Sequence, residues 1–292
     1  MKKKLDTLVQ DIYDTVAVLN DGESLNIPEE DIQEFGTAMM DALRSWSTPR
    51  DRSDQHTLRM SNVGRPLRQL WYDIRSDDEV PPISSPNFIK FFFGHMAEPF
   101  LFLLIKLAGH TIIDEQKEVK VSGVTGHMDC IIDGEVVDIK TASSFAFRKF
   151  KNGTLREDDP FGYLAQLAGY EESEGTTKGG FLAINKENGE LAMYCPEDLD
   201  KPNIKSKIRG IKKALKLDSP PDRCYTSIAD GKSGNMKLPT GCVYCRHKNT
   251  CHQDANEGNG LRVFKYSNKL VYFTKVAKEP RVQEITYTQK KN

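Results

Sequence analysis

The sequence predicts an α/β protein, a central mixed sheet flanked by helices. Three observations carry that expectation. Segments 110–122 (HTIIDEQKEVKVS), 124–132 (VTGHMDCII) and 135–142 (EVVDIKTA) are alternating or β-branched, as strands are. A strongly apolar helical segment precedes them, and a second helix and two further strands follow. Asp133-Gly134 sits between two of the strands as a hairpin turn.

The elements follow in order. Leu5, Leu8, Ile12 and Val16 recur at helical spacing, and Asn20-Asp21-Gly22 breaks the pattern. A second helix starts near Pro28 and carries Ile32, Phe35, Met39 and Leu43. Residues 47–58 are polar and read as a loop. Residues 59–75 read as a helix with Ser61 as N-cap, Leu67, Leu70 and Trp71 on its apolar stripe, and Arg65, Arg68 and Arg75 as positive charge. Residues 76–86 form another loop. Residues 87–108 form the apolar helix, with a kink or break expected at Pro99 and a C-terminal stop at Gly109.

Residues 160–173 return to helix, with Gln166 and Tyr170 on one face. Residues 179–185 and 190–195 form a hairpin around Glu187-Asn188-Gly189. Residues 201–217 form an amphipathic helix with Ile204, Ile208, Ile211 and Leu215 on its stripe. Its other faces hold only basic charges, Lys212 and Lys213 among them, a candidate phosphate-contacting surface. The tail reads as a hairpin turning at Ser267-Asn268, with a third strand over 282–288. Three regions result: a helical extension over 1–58, a core over 59–217, and a cysteine-bearing region with the hairpin over 218–292.

Composition narrows the function classes. The 292 residues are 38% apolar and 28% charged, with a formal net charge of −1. Nucleic-acid binding therefore gets no support from overall charge and needs a local basic face. No apolar run is read as long enough to span a membrane, and the N-terminus lacks the apolar stretch of a secretory signal. Six cysteines without such a signal fit a reducing, cytoplasmic setting rather than a disulfide framework.

The chemistry concentrates at Gly126–Ser143. On a strand, residues two apart share a face, so Asp138 and Lys140 emerge together and Ile139 points into the core. Asp129 precedes them on the neighbouring strand. Carboxylates and an ammonium at one sheet surface suit a divalent metal and an activated water. Oxygen-only ligation favours Mg²⁺ or Mn²⁺, and the Ile139 carbonyl is a further candidate ligand. Lys140 is placed to activate or hold the water or to stabilise the transition state. Within the apolar helix, His95 and Glu98 lie three apart on one face, and a Glu buried there needs a partner or a metal.

Together these pieces resemble the PD-(D/E)xK nuclease superfamily, in its RecB-like and lambda-exonuclease-like branch. FGHMAEP (93–99) is similar to the first-helix motif, with Glu98 or His95 as the metal ligand. GHMD (126–129) and VVDIKTAS (136–143) are similar to the catalytic core. QLAGY (166–170) is similar to the motif in which Gln166 orients the lysine and water and Tyr170 lies near DNA. Asp138 stands where most relatives carry Glu. The resemblance implies a restriction-endonuclease-like core and a Mg-dependent exonuclease that leaves 5′-phosphates. It also implies a place in DNA recombination, repair or phage DNA processing, with a recombination or replication protein as partner. A structure-specific endonuclease and a non-catalytic DNA-binding scaffold are the alternatives.

CVYCRHKNTC places Cys242, Cys245 and Cys251 within ten residues, a metal-binding spacing. It resembles the C-terminal part of the iron–sulfur site of the CRISPR adaptation nucleases and AddB. SNVGRPLRQLWYD resembles their N-terminal motif, with Arg68 matching as a DNA-side residue but no cysteine there. Cys224 is the expected fourth ligand. A [4Fe–4S] cluster and a structural Zn²⁺, with His247 or His252 nearby, both remain open. Cys130 and Cys195 are expected in the core.

Overall fold

The computed structural model describes residues 3–48, 56–76, 84–267 and 269–285. The chain divides into two compact units. One comprises Met1–Arg65 and Pro82–Lys213; the other comprises Pro66–Pro81 and Ala214–Asn292.

The first unit is built on a five-stranded mixed sheet. Its strands are β1 (Ile112–Ile113), β4 (Cys130–Ile132), β5 (Glu135–Ala142), β6 (Gly180–Asn185) and β7 (Leu191–Tyr194), in that spatial order. β5 is central, antiparallel to β4 and parallel to β6. A central strand is buried on both faces, which suits the run Val136, Val137, Ile139. The β4–β5 turn is the expected Asp133-Gly134, with φ of 53° and 96°, the two positive values of a tight hairpin. Two further strands, β2 (Glu118–Val121) and β3 (Val124–His127), form a separate ribbon.

Helices cover the sheet. α1 (Leu8–Ala17) buries Leu8 and Ile12 in the core. Its Asp11 and the turn residue Asp133 both bond the buried His110 ring, at 3.0 and 2.6 Å. α2 (Glu29–Ser47) buries no residue; Ile32 and Leu43, expected on its inward stripe, are exposed. It lies on α4 (Ser85–Leu107) through Phe35 against Phe100 and Trp46 against Phe92. α5 (Ser144–Lys151), for which no element was expected, is N-capped by Ser143. α6 (Tyr163–Glu174) and α7 (Ile204–Ala214) complete the set.

Several expectations are corrected. α4 runs through Pro99 without a break: one missing N–H is offset by a C-terminal half packed in the core through Leu101, Phe102, Leu104 and Ile105. It ends in a Schellman arrangement, with His110 N–H on Ile105 O at 3.2 Å and Gly109 N–H on Lys106 O at 2.9 Å. Among the described residues α4 is the one helix long and apolar enough to cross a membrane by length and composition, contrary to the sequence reading. Residues 110–122 and 124–132 are each two strands, because Asp114 and Gln116 adopt left-handed φ and because Met128 and Asp129 leave the ladder between β3 and β4. Asp129 is thus at a strand junction rather than on a strand.

The second unit contains α3 (Leu67–Arg75), which starts after Pro66 rather than at Ser61. Ser61 lies instead in a 3₁₀ turn. Trp71 Nε1 donates to Leu217 O and Arg75 to Leu215 O, tying α3 to the chain that follows α7. A four-stranded sheet holds β8 (Ile228–Ala229), β9 (Met236–Lys237), β10 (Arg262–Lys265) and β11 (Leu270–Lys275). β10 and β11 form the expected hairpin; Asn268 in its turn lies outside the described residues. In place of a third strand, Glu284 bridges to Phe264, and 286–288 lie outside the described residues.

Candidate active site and cysteine cavity

In the first unit, a cleft of about 350 Å³ is lined by Lys90, Phe91, Gly94, His95, Glu98, Asp129, Asp138, Ile139, Lys140, Thr141 and Gln166. α4 supplies the first five, β5 the four from Asp138 to Thr141, the β3–β4 junction Asp129, and α6 Gln166. The structure thereby brings Glu98, His95, Asp129, Asp138, Lys140 and Gln166 to one place.

Asp138 is the innermost group, with 0% exposure. Lys140 is its ion-pair partner at Oδ2, while Oδ1 has no hydrogen-bond partner among the described residues. A buried carboxylate left in that state costs free energy unless a further positive group meets it. Asp129 Oδ2 accepts from the Ile139 N–H at 2.6 Å, which fixes that carboxylate beside the strand. Glu98 Oε1 accepts from Gln116 Nε2 at 2.5 Å. Burial, then the negative charge of Asp138, pushes the Asp129 carboxyl well above the usual carboxylate range. Burial and then Asp138 also raise Glu98, against the opposing bond from Gln116.

Lys140 responds in the opposite sense. Burial alone would lower its pKa, but Asp138 and Asp129 outweigh burial and hold it above the ordinary lysine value. The ammonium lies 4.7 Å from the Tyr163 ring centroid, a cation–π contact. Gln166 Nε2 donates to the Tyr170 hydroxyl at 3.0 Å. Tyr170, expected near DNA, is only 1% exposed, with its hydroxyl engaged by Gln166.

Glu98, Asp129 and Asp138 bring three carboxylates to the cleft, oxygen donors of the type that a hard divalent cation takes. Among the described residues, no three His, Cys, Asp or Glu side chains are yet gathered at metal-holding positions.

Two residues assigned to DNA contact have other partners. Lys212 Nζ donates to Ser122 O at 2.7 Å, at the β2–β3 turn. Arg68, in the second unit, donates through Nε to Cys251 Sγ at 3.1 Å and also bonds Pro221 O and the Tyr72 hydroxyl. Lys213 is exposed.

In the second unit, Cys224, Cys242, Cys245 and Cys251 line one cavity of about 30 Å³ with Arg68, His247 and His252. Burial and then the neighbouring Cys245, Cys251 and Cys224 push the Cys242 thiol up to about 12. His247 is engaged elsewhere, with Nε2 2.7 Å from Asp73 Oδ1. His252 is buried, and burial lowers its pKa, so the ring is neutral. Cys130 is buried as expected, whereas Cys195 lies just past β7 and is exposed.

Sequence reasoning missed Gln116, Tyr163, Lys90 and Phe91. Tyr163 precedes Gln166 by one helical turn, so periodicity contained its signal. Gln116 reaches Glu98 from a left-handed loop position that no pattern announced.

No protein-family model and no curated protein matches the sequence. Solved structures with similar coordinates include the protein designated SSO0001, at 16% identity, TM-score 0.39, 73% of this chain and 92% of that one. They also include an alkaline exonuclease, LHK-Exo, from Laribacter hongkongensis, at 12% identity, TM-score 0.40, 59% of this chain and 92% of that one.

Proposed function

We propose that the protein is a metal-dependent DNA nuclease acting on DNA ends. The observation that carries this reading is Asp138, fully buried, paired with Lys140 through one oxygen and without a partner for the other among the described residues, in a cleft it shares with Glu98 and Asp129. The motif resemblance supplies the reaction class. Glu98, Asp129, Asp138 and the Ile139 carbonyl would hold Mg²⁺ or Mn²⁺, with His95 in the same cleft. Such an ion, when bound, supplies charge relief to a phosphodiester and an acidified water.

The chain's own groups set the rest. Lys140 is held charged, so it serves as a hydrogen-bond and charge donor to the attacking water or the phosphate rather than as a proton acceptor. Gln166, with its amide nitrogen committed to Tyr170, keeps its carbonyl oxygen to accept from Lys140 or the water. The cysteine cavity is proposed to hold a structural [4Fe–4S] cluster or Zn²⁺, apart from the chemistry.

Linear and covalently closed DNA incubated with Mg²⁺ provide the test. Linear DNA should be degraded to 5′-phosphorylated products and closed circles spared. Lys140→Gln, which keeps a polar group beside Asp138, should slow degradation by about 10²–10³-fold. Equal attack on closed circles would remove the end-directed part; no attack on either DNA would remove the nuclease reading.

A further inference from the structure

An aromatic stack starts at the lysine of the site. Tyr163 packs its face 4.7 Å from Lys140 Nζ. Phe161 stacks on Tyr163, with centroids 5.5 Å apart and planes 23° from parallel. Phe161 is 58% exposed. Leaving most of a large apolar ring in water is unfavourable, and this one is two contacts from the lysine of the site.

The support beneath it is rigid. Tyr163 is backed by Phe150 and Phe181, at 6.1 and 6.2 Å. The loop before α6 is tied down by Asp159, whose carboxylate accepts from the N–H groups of Gly162, Tyr163 and Leu164 at 2.9, 2.9 and 3.0 Å. Gly162 takes φ of 76°, and its backbone packs so closely on Gly64 that a Cβ on Gly64 would lie 2.1 Å from the Gly162 carbonyl oxygen. A ring presented by such a loop is ordered before any ligand arrives, which lowers the entropic cost of stacking on it.

We propose that Phe161, seated on Tyr163, is a stacking platform for a nucleobase of an unpaired strand end beside the reacting phosphate. Every base offers a π-face, so the platform accepts any sequence and favours single-stranded or frayed ends over paired ones. A base inside a duplex keeps both faces covered by its neighbours and gains nothing from the ring. The inference rests on the nuclease reading and adds the form of its substrate.

The test uses the full chain in Ca²⁺ with short single-stranded oligonucleotides carrying 2-aminopurine at the terminal position, and a blunt duplex for comparison. Wild-type protein should quench the fluorophore on binding. Phe161→Ala should weaken single-strand binding about 5- to 150-fold, the effect of losing one base–aromatic stack, and abolish the quenching. Phe161→Trp should retain both, and Phe161→Leu should not restore the quenching. Because the ring is exposed, the thermal midpoint of Phe161→Ala should match the wild type and certify folding.

Binding by Phe161→Ala within twofold of wild type overturns the platform, as does full recovery by Phe161→Leu. Cleavage of linear DNA in Mg²⁺ by the same preparations separates the two readings. If the wild type cleaves and Phe161→Ala still binds normally, the platform alone falls. If the wild type neither binds nor cleaves, the nuclease reading falls and the platform with it.

Discussion

Three carboxylates crowd one cleft in the first unit, and the energetic sign of that crowding can be worked out for a single residue. Glu98 is raised above its ordinary value by burial and by Asp138. Its folded form therefore holds a proton more tightly than the unfolded chain does. Stability falls as pH rises from the unfolded pKa through the folded one, and above both the full penalty applies. Glu98→Gln removes the charge and keeps an acceptor for Gln116. In the metal-free protein at pH 7.5 it should raise the thermal midpoint by about 2–4 °C, the shift that ~1 kcal/mol gives in a chain of roughly this size. The gain should vanish below about pH 4, where wild-type Glu98 is protonated in both states. Added Mg²⁺ should then stabilise the wild type more than the variant. A variant less stable than wild type at pH 7.5 without metal would show that Glu98 is a structural ion-pair member instead.

At the scale of elements, the close backbone approach of Gly64 and Gly162 holds the start of α6 and hence both Tyr163 and Gln166. Gly64→Ala would drive its Cβ into main-chain atoms, 2.1 Å from the Gly162 oxygen and 2.3 Å from its Cα, and neither can move as a side chain would. The expected cost is about 1–3 kcal/mol, read from denaturant unfolding, with weakened cleavage because α6 must shift. Unchanged stability would mean that the contact relaxes freely. Nothing in the sequence marked this contact, because 64 and 162 are far apart and glycine has no side chain to pattern. What was legible was local. The β4–β5 turn showed in Asp133-Gly134, and the period of two put Asp138 and Lys140 on one face with Ile139 in the core, as found. The gathering of Glu98 with them was legible as an anomaly, a carboxylate in an apolar helix. Tertiary context overrode the rest. Pro99 was expected to break α4, but core packing carries the helix through, and Tyr170 looked like a surface residue only because burial of α6 on that side had no local signal.

Across the whole molecule, oxygen ligands and sulfur ligands are segregated, carboxylates in the first unit and four cysteines in the second. Hard cations such as Mg²⁺ prefer the former, and thiolates select Zn²⁺ or iron–sulfur clusters. The two proposed metals should therefore be separable by chemistry. The second unit has a small sheet, several four-residue helices and few large buried side chains around Phe264 and Phe273. The proposed metal would add to the stability of such a unit, since its binding free energy is also folding free energy. The first unit has a continuous core from α1 through β6. Cys242→Ser should therefore lose iron or zinc, measured by elemental analysis and, for iron–sulfur, by visible absorbance. Limited proteolysis should then cut it at least tenfold faster within 66–76 and 214–285, the described parts of the second unit, while the first unit resists. Mg²⁺ binding to the cleft, measured by calorimetry on the surviving folded unit, should change less than about twofold. Proteolysis spread evenly over both units would show that the cysteine cavity stabilises the whole chain rather than its own unit, and wild-type protein free of iron and zinc with an intact second unit would remove the metal from that cavity altogether.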